Sequence, residues 1–297
     1  MCKMLLVVAL PVVTLITLSA LNLAQARVLQ VQTTAAQETI DRILKVDDLV
    51  TDLQVERGTT ATYLSSGGAN IDAYERLLDK RRSTDASVEN LRYPTEGLVV
   101  SEVFLPTKES FSSFLKDYRK TVRNGDITFE YNIRLYTNIT FALMDWSETI
   151  IELPERGVIW PLAIASASML RASDAIGIHR ALGATFFTLC RFTTANQSWF
   201  TYLEGEASAL LNVSFTYSIK SRVKYESEYQ GSQLYDEINT QKGYMYNESY
   251  FDSCALLSDA IKYDNSLTWF QNLTSYIILI KRIRGSLTDD LVTALKQ

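Results

Sequence analysis

Two arginines stand where a permanent charge is hard to accommodate. Ile43, Val46, Val50, Leu53, Arg57, Thr60 and Leu64 alternate spacings of three and four, the pattern of a helix seam packed on other helices, and Arg57 sits in its middle. Met169, Ser173, Ile176, Arg180, Gly183, Phe187 and Cys190 repeat the alternation, again with an arginine in the seam. From Ala175 to Cys190 the ionisable side chains are His179, Arg180 and the Cys190 thiol, so this stretch is predicted to be buried. A guanidinium cannot escape burial by losing its proton, and burying it unpaired costs on the order of several kcal/mol. Each arginine therefore needs an anion. One candidate is a carboxylate on a facing helix. The other is a small anion clamped between both arginines, because a planar guanidinium fork matches a planar oxyanion with two parallel hydrogen bonds. Gly58, Gly177 and Gly183 lie close by in sequence and either leave a pocket or let helices pack tightly. His179 is either a pH-sensitive modulator of the site or a hydrogen-bonded structural residue.

Other chemistry finds little support. The single histidine excludes imidazole-based metal clusters, and no metal ligand set is expected. No C-x-x-C, H-E-x-x-H, G-x-S-x-G or phosphate-loop pattern occurs, so no catalytic residue or cofactor is assigned and the chain is read as a non-enzyme. A formal net charge of −5 disfavours nucleic acid as a partner.

The elements that must position the arginines are helices. With 5 Pro and 12 Gly in 297 residues, breakers are sparse and long helices are expected. The periodicity predicts helices over 28–66, 70–92, 107–123, 126–152, 158–191, 195–220, 248–264 and 266–297. Gly67-Gly68, Pro94, Gly125 and Pro154 serve as stops, Thr107 as a cap, and Pro161 is tolerated in a first turn. Residues 94–106 read as irregular, and the polar, Tyr-rich stretch 221–247 as short helices or loops. Leu273, Ile277, Ile280, Leu287 and Leu291 mark one buried face of the last helix. About eight helices with short loops predict an all-α fold of two antiparallel helical bundles.

The N-terminus adds a location. Residues 4–24 form an apolar run of about the length that crosses a bilayer core. Residues 1–26 are read as a signal anchor, or as a signal peptide cleaved after Ala24-Gln25-Ala26, with 27–297 as the helical domain. Either reading carries the rest of the chain across the membrane. Asn138, Asn196, Asn212, Asn247 and Asn272 each open an Asn-x-Ser/Thr triplet, which fits an extracellular glycoprotein. Cys190 and Cys254 either pair as a disulfide in such a compartment or remain separate buried thiols.

The same segments resemble the NIT family of nitrate- and nitrite-sensing domains. The matching motifs are Leu53-Gln54-Val55-Glu56-Arg57-Gly58 with Tyr63-Leu64-Ser65-Ser66-Gly67, then Arg81 with Thr84-Asp85. The third is Ser173-Asp174-Ala175-Ile176-Gly177-Ile178-His179-Arg180-Ala181 with Gly183 and Phe186-Phe187. The resemblance spans roughly residues 30–297 and implies a two-bundle sensor beside membrane spans. It implies that Arg57 and Arg180 bind the anion, with Gly58, Gly177 and His179 nearby. His179 is a departure, since the family usually carries an acidic residue just before the second arginine. The expected protein is a receptor in which ligand binding rearranges helices, with a homodimer expected for that layout; the resemblance also implies, in animal relatives, a guanylate cyclase output module that is absent from this chain. The competing expectation is a structural or adhesive ectodomain whose core arginines are salt-bridged within the protein.

Overall fold

The computed structural model describes residues 2–65, 71–150 and 159–295; the side chains of residues 2–11 fall outside the described set. The expected stops at Gly67-Gly68 and Pro154 also lie outside the described residues. The first half of the chain folds as α1 (Cys2–Ser65), α2 (Ile71–Asn90), a hairpin of β1 (Leu98–Val100) and β2 (Val103–Leu105), α3 (Lys108–Asn124) and α4 (Phe129–Ile150). The second half folds as α5 (Ile159–Leu189), α6 (Thr194–Tyr217), α7 (Ile219–Glu228), α8 (Gln233–Met245), α9 (Glu248–Ala255) and α10 (Asp259–Leu295).

Local chemistry sets many of these boundaries. Thr107 caps α3 by accepting from the Ser110 amide, while the Ser110 hydroxyl accepts from the Thr107 amide, a reciprocal box. Gly125 ends the helix in the left-handed region, φ 80°, where its lack of a Cβ removes the steric cost. Ser218, Ser232 and Asn247 cap α7, α8 and α9 by accepting from the Ser221, Tyr235 and Ser249 amides, which breaks the Tyr-rich stretch into short helices.

Two expectations about elements need correcting. Residues 94–106 are not wholly irregular: Val100 faces Val103 across a two-residue turn, Ser101 and Glu102, at φ 49° and 70°. Those positive angles match the right-handed twist of a tight hairpin. Leu98, Val100 and Leu105 point inward and supply the apolar contacts that hold it. The C-terminal region forms two helices as expected, but the break lies at residues 256–258, between α9 and α10, rather than at residue 265. Ser266, at the expected break, stays within α10 and donates its Oγ to the Ala184 carbonyl (2.9 Å).

Among the described residues there are two large hydrophobic cores and a small third cluster around Ala163 and Leu291. The first joins α1 to α4 and the hairpin, around Leu49, Leu53, Leu77, Phe111 and Tyr136. The second joins α5 to α10, around Phe186, Phe200, Trp269 and Ile280. Neighbouring helices run antiparallel: Asp52 meets Ser87 while Tyr63 meets Tyr74 (α1 and α2), and His179 meets Phe200 while Trp160 meets Tyr217 (α5 and α6). α5 is apolar on nearly every face and therefore lies buried between the cores. The two seams read from the sequence are the inward faces of α1 and α5.

The expected N-terminal membrane helix is helical, as the first part of α1. Among the described residues, however, no helix is long and apolar enough to cross a membrane. The side chains described within the apolar run begin at residue 12, so residues 12–24 alone fall short of the ~20 that a span requires.

Gly183 resolves to the packing reading. A Cβ there would stand 2.3 Å from Trp269 Nε1, and the indole is fully buried. Gly183→Ala is expected to lower the denaturant midpoint, with a destabilisation of about 1–3 kcal/mol, because a rigid, enclosed ring cannot move aside.

Candidate functional site

The two seam arginines meet where α1 packs on α5. Arg57 is 2% exposed and its partner Asp174, on α5, is 0% exposed. Arg57 Nη2 lies 3.0 Å from Asp174 Oδ1, and Nη1 donates to Asp174 Oδ2 (3.3 Å) and to Thr137 Oγ1 of α4 (3.1 Å). Nη2 also donates to the Asp174 carbonyl (3.4 Å). For Arg57, then, a carboxylate on a facing helix is present.

Arg180 has no carboxylate partner among the described residues. Its Nη1 donates to Thr274 Oγ1 of α10 (2.8 Å), and its guanidinium carbon lies 4.2 Å from the Phe270 ring centre. Its Nε is buried without a hydrogen-bond partner. Burial, and then the charge of Arg57, lower the Arg180 pKa to about 10. Lys281, one helical face further along α10, is lowered to about 8 by burial first, then by Arg284 and Arg180. The junction thus carries more positive than negative charge.

The glycines explain how two guanidinium groups approach so closely. A Cβ on Gly58 would stand 3.1 Å from Arg180 Nη2, and a Cβ on Gly177 would stand 3.1 Å from Arg57 Nη2. Each arginine therefore crosses to the opposite helix and lies over a residue with no side chain. The structure brings Arg57, Gly58, Gly177 and Arg180 together.

His179 does not join them. It stacks on Phe200 at 3.8 Å between ring centres, and its Nε2 has no hydrogen-bond partner. Burial, reinforced by the charge of Lys242, lowers its pKa to about 3. The imidazole is thus uncharged at neutral pH, which removes it as a modulator titrating near pH 7.

Other buried charges in this region escaped the sequence reading. Glu56, beside Arg57 in α1, is 0% exposed and accepts two bonds from Arg119 of α3, Nε to Oε1 and Nη2 to Oε2, both 2.8 Å. Tyr136 donates its hydroxyl to the same carboxylate (2.7 Å), and Arg81 Nε lies 3.6 Å away. Arg81 and Asp85, matched as a motif, belong to this cluster, since Asp85 accepts from Arg119 Nη1 (2.6 Å). An available signal was Asp174 itself, an acid within an otherwise almost uncharged helix.

The remaining candidate positions are peripheral. Asn138, Asn212 and Asn247 are exposed and Asn196 and Asn272 half-buried, and the Asn138 and Asn272 amides donate to Ser101 and Gln241. Cys190 and Cys254 form a disulfide joining the end of α5 to the end of α9.

With this geometry in place, the comparisons define the class of protein. A family model described as nitrate and nitrite sensing matches residues 48–292, and the chain belongs to that family. Among solved structures it is similar to the NasR transcription antiterminator, at 18% sequence identity, covering 92% of this chain and 73% of that chain with a TM-score of 0.68. At that identity the likeness is one of fold. No curated protein matches the chain.

The state of His179 gives a stability test. Its pKa is near 6.5 in the unfolded chain and about 3 in the fold, so on acidification the unfolded state takes up the proton first. Stability is expected to fall as pH drops below about 6.5, and His179→Phe should flatten that part of the melting-temperature profile.

Proposed function

We propose that this chain is the sensing domain of a membrane receptor, and that Arg57 and Arg180 bind a nitrate- or nitrite-like anion at the α1–α5 junction. One observation carries the reading: Arg57 is buried and paired with Asp174, whereas Arg180, half-buried, has no carboxylate partner among the described residues and a buried Nε without a hydrogen-bond partner. Its open Nε and a terminal nitrogen form the fork that a planar oxyanion fits. Gly58 and Gly177 keep side chains out of the space beside both heads.

In this reading Asp174 is an internal competitor. It neutralises Arg57 while no anion is present, and an arriving anion takes over part of that role. Binding then favours whichever arrangement of α1 and α5 lets both arginines face the ligand, because a ligand shifts states only by its differential affinity. The domain binds and responds without turnover. Pairing of two chains and an output module belong to the same reading.

Extracellular placement is supported by the disulfide, which persists in oxidising compartments, and by five Asn-x-Ser/Thr triplets with exposed or half-buried Asn. The anchor at residues 4–24 rests on the sequence alone.

The rival reading, a structural ectodomain, draws on the Arg57–Asp174 pair. Thermal unfolding of the full chain in nitrate, nitrite and chloride at matched ionic strength separates the two. Nitrate or nitrite should raise the melting temperature selectively, with a stabilisation of about 2.7 kcal/mol at ~100 times Kd. Arg180→Lys should abolish the rise while the protein stays folded. An equal shift in chloride, or none, points to the structural ectodomain. Asp174→Asn should tighten nitrate binding by about tenfold, equivalent to ~1.4 kcal/mol; weaker binding would mean that Asp174 orients Arg57 for the ligand instead of competing with it.

A further inference from the structure

The second bundle holds a cleft of about 550 Å³ between α5, α6, α7, α8 and α10, apart from the arginine pair. Its volume lies in the range of small-molecule sites, ~300–1,000 Å³. Ile176, Leu203, Phe215 and Leu273 contribute buried apolar side chains to a lining that also carries many polar groups. One wall is aromatic: Tyr229 stacks on Tyr276 with ring centres 4.3 Å apart, and Tyr225 donates to or accepts from the Tyr276 hydroxyl (2.9 Å).

His179 is the second observation. It lines the same cleft, is 4% exposed, and its Nε2 has no partner although the ring is held by its stack on Phe200. A buried polar atom left unpaired is unfavourable. The charges around the cleft do not select an ion. Lys242 is committed to Glu204 (2.6 Å), and the exposed rim carries one cation and one anion, Arg222 and Glu226. A neutral imidazole presents one donor and one acceptor nitrogen, and a hydroxyl group can meet either. Flat rings gain further from edge or face contact with the tyrosines.

We propose that this cleft binds a neutral, flat aromatic molecule bearing a hydroxyl group, its ring against Tyr225, Tyr229 and Tyr276 and its hydroxyl on the His179 imidazole. The site is distinct from the anion site and does not depend on it.

The chain contains a single histidine, so its imidazole C–H signals in an NMR spectrum report on this cleft without assignment. The full chain is titrated with phenol and, separately, with toluene, which has the ring but not the hydroxyl. Phenol should shift the signals saturably and bind at least about fivefold more tightly than toluene, as expected for one added hydrogen bond. Leu203→Trp, which fills the cleft, should remove the phenol response and leave the nitrate stabilisation intact. Arg180→Lys should leave the phenol response unchanged. The absence of a saturable shift up to about 10 mM phenol, or equal affinity for phenol and toluene, overturns the proposal. So does loss of the phenol response in Arg180→Lys, which would place the binding at the arginine pair. The phenol and toluene comparison needs no variant, so a Leu203→Trp chain that fails to fold leaves the proposal open to refutation.

Discussion

Two positive charges beside one carboxylate, Arg57 buried and Arg180 half-buried, are the constraint on which the junction of the two bundles depends. Arg57 and Arg180 cannot shed their protons, so the surrounding helices must supply much of what water would otherwise supply. Asp174 gives Arg57 two carboxylate oxygens, Thr137 and Thr274 give hydroxyl oxygens, and Phe270 gives the negative face of its ring. These groups come from α4, α5 and α10, so the charge requirement of two side chains fixes the relative positions of several elements. Moving any one of them strands a buried cation.

Around this junction the first bundle carries its own closed network. Glu56 satisfies Arg119 and Tyr136 at once, and sits one residue before Arg57 on α1. Adjacent residues on a helix point about 100° apart, so α1 presents an anion to α3 and a cation to α5 in the same turn. The two networks are mechanically joined by one turn of helix. A change in how Arg57 is held is therefore felt by the Glu56 cluster through the backbone they share.

Much of this was legible in the sequence, for a definite reason. The seams of α1 and α5 repeat with the helical period, and the arginines interrupt an apolar stripe, which is a local pattern that a single chain displays. The two bundles followed from sparse breakers and short loops. The hairpin was hidden because three-residue strands are too short to show alternation, and Ser101 and Glu102 are not the usual residues for positive φ. The unbroken course of α10 was hidden because its polar stretch near Ser266 looks like a break until Ala184, 82 residues away, accepts its hydrogen bond. The Arg57–Asp174 pair spans 117 residues, and spacing in sequence carries no information about such a contact. His179 was read from its neighbour Arg180, but consecutive helical residues face different surroundings, and its surroundings are aromatic.

The disulfide has a topological consequence. By joining Cys190 to Cys254 it closes a covalent ring that contains α6, α7, α8 and α9, with α5 leading into it and α10 leading out. A peptide bond cut anywhere inside that ring leaves one connected molecule, because both fragments remain tethered through sulfur. A single proteolytic cut in a loop between these short helices would thus nick the domain without releasing any part of it. The walls beside α5 and α10 would stay in place until a reductant opened the ring.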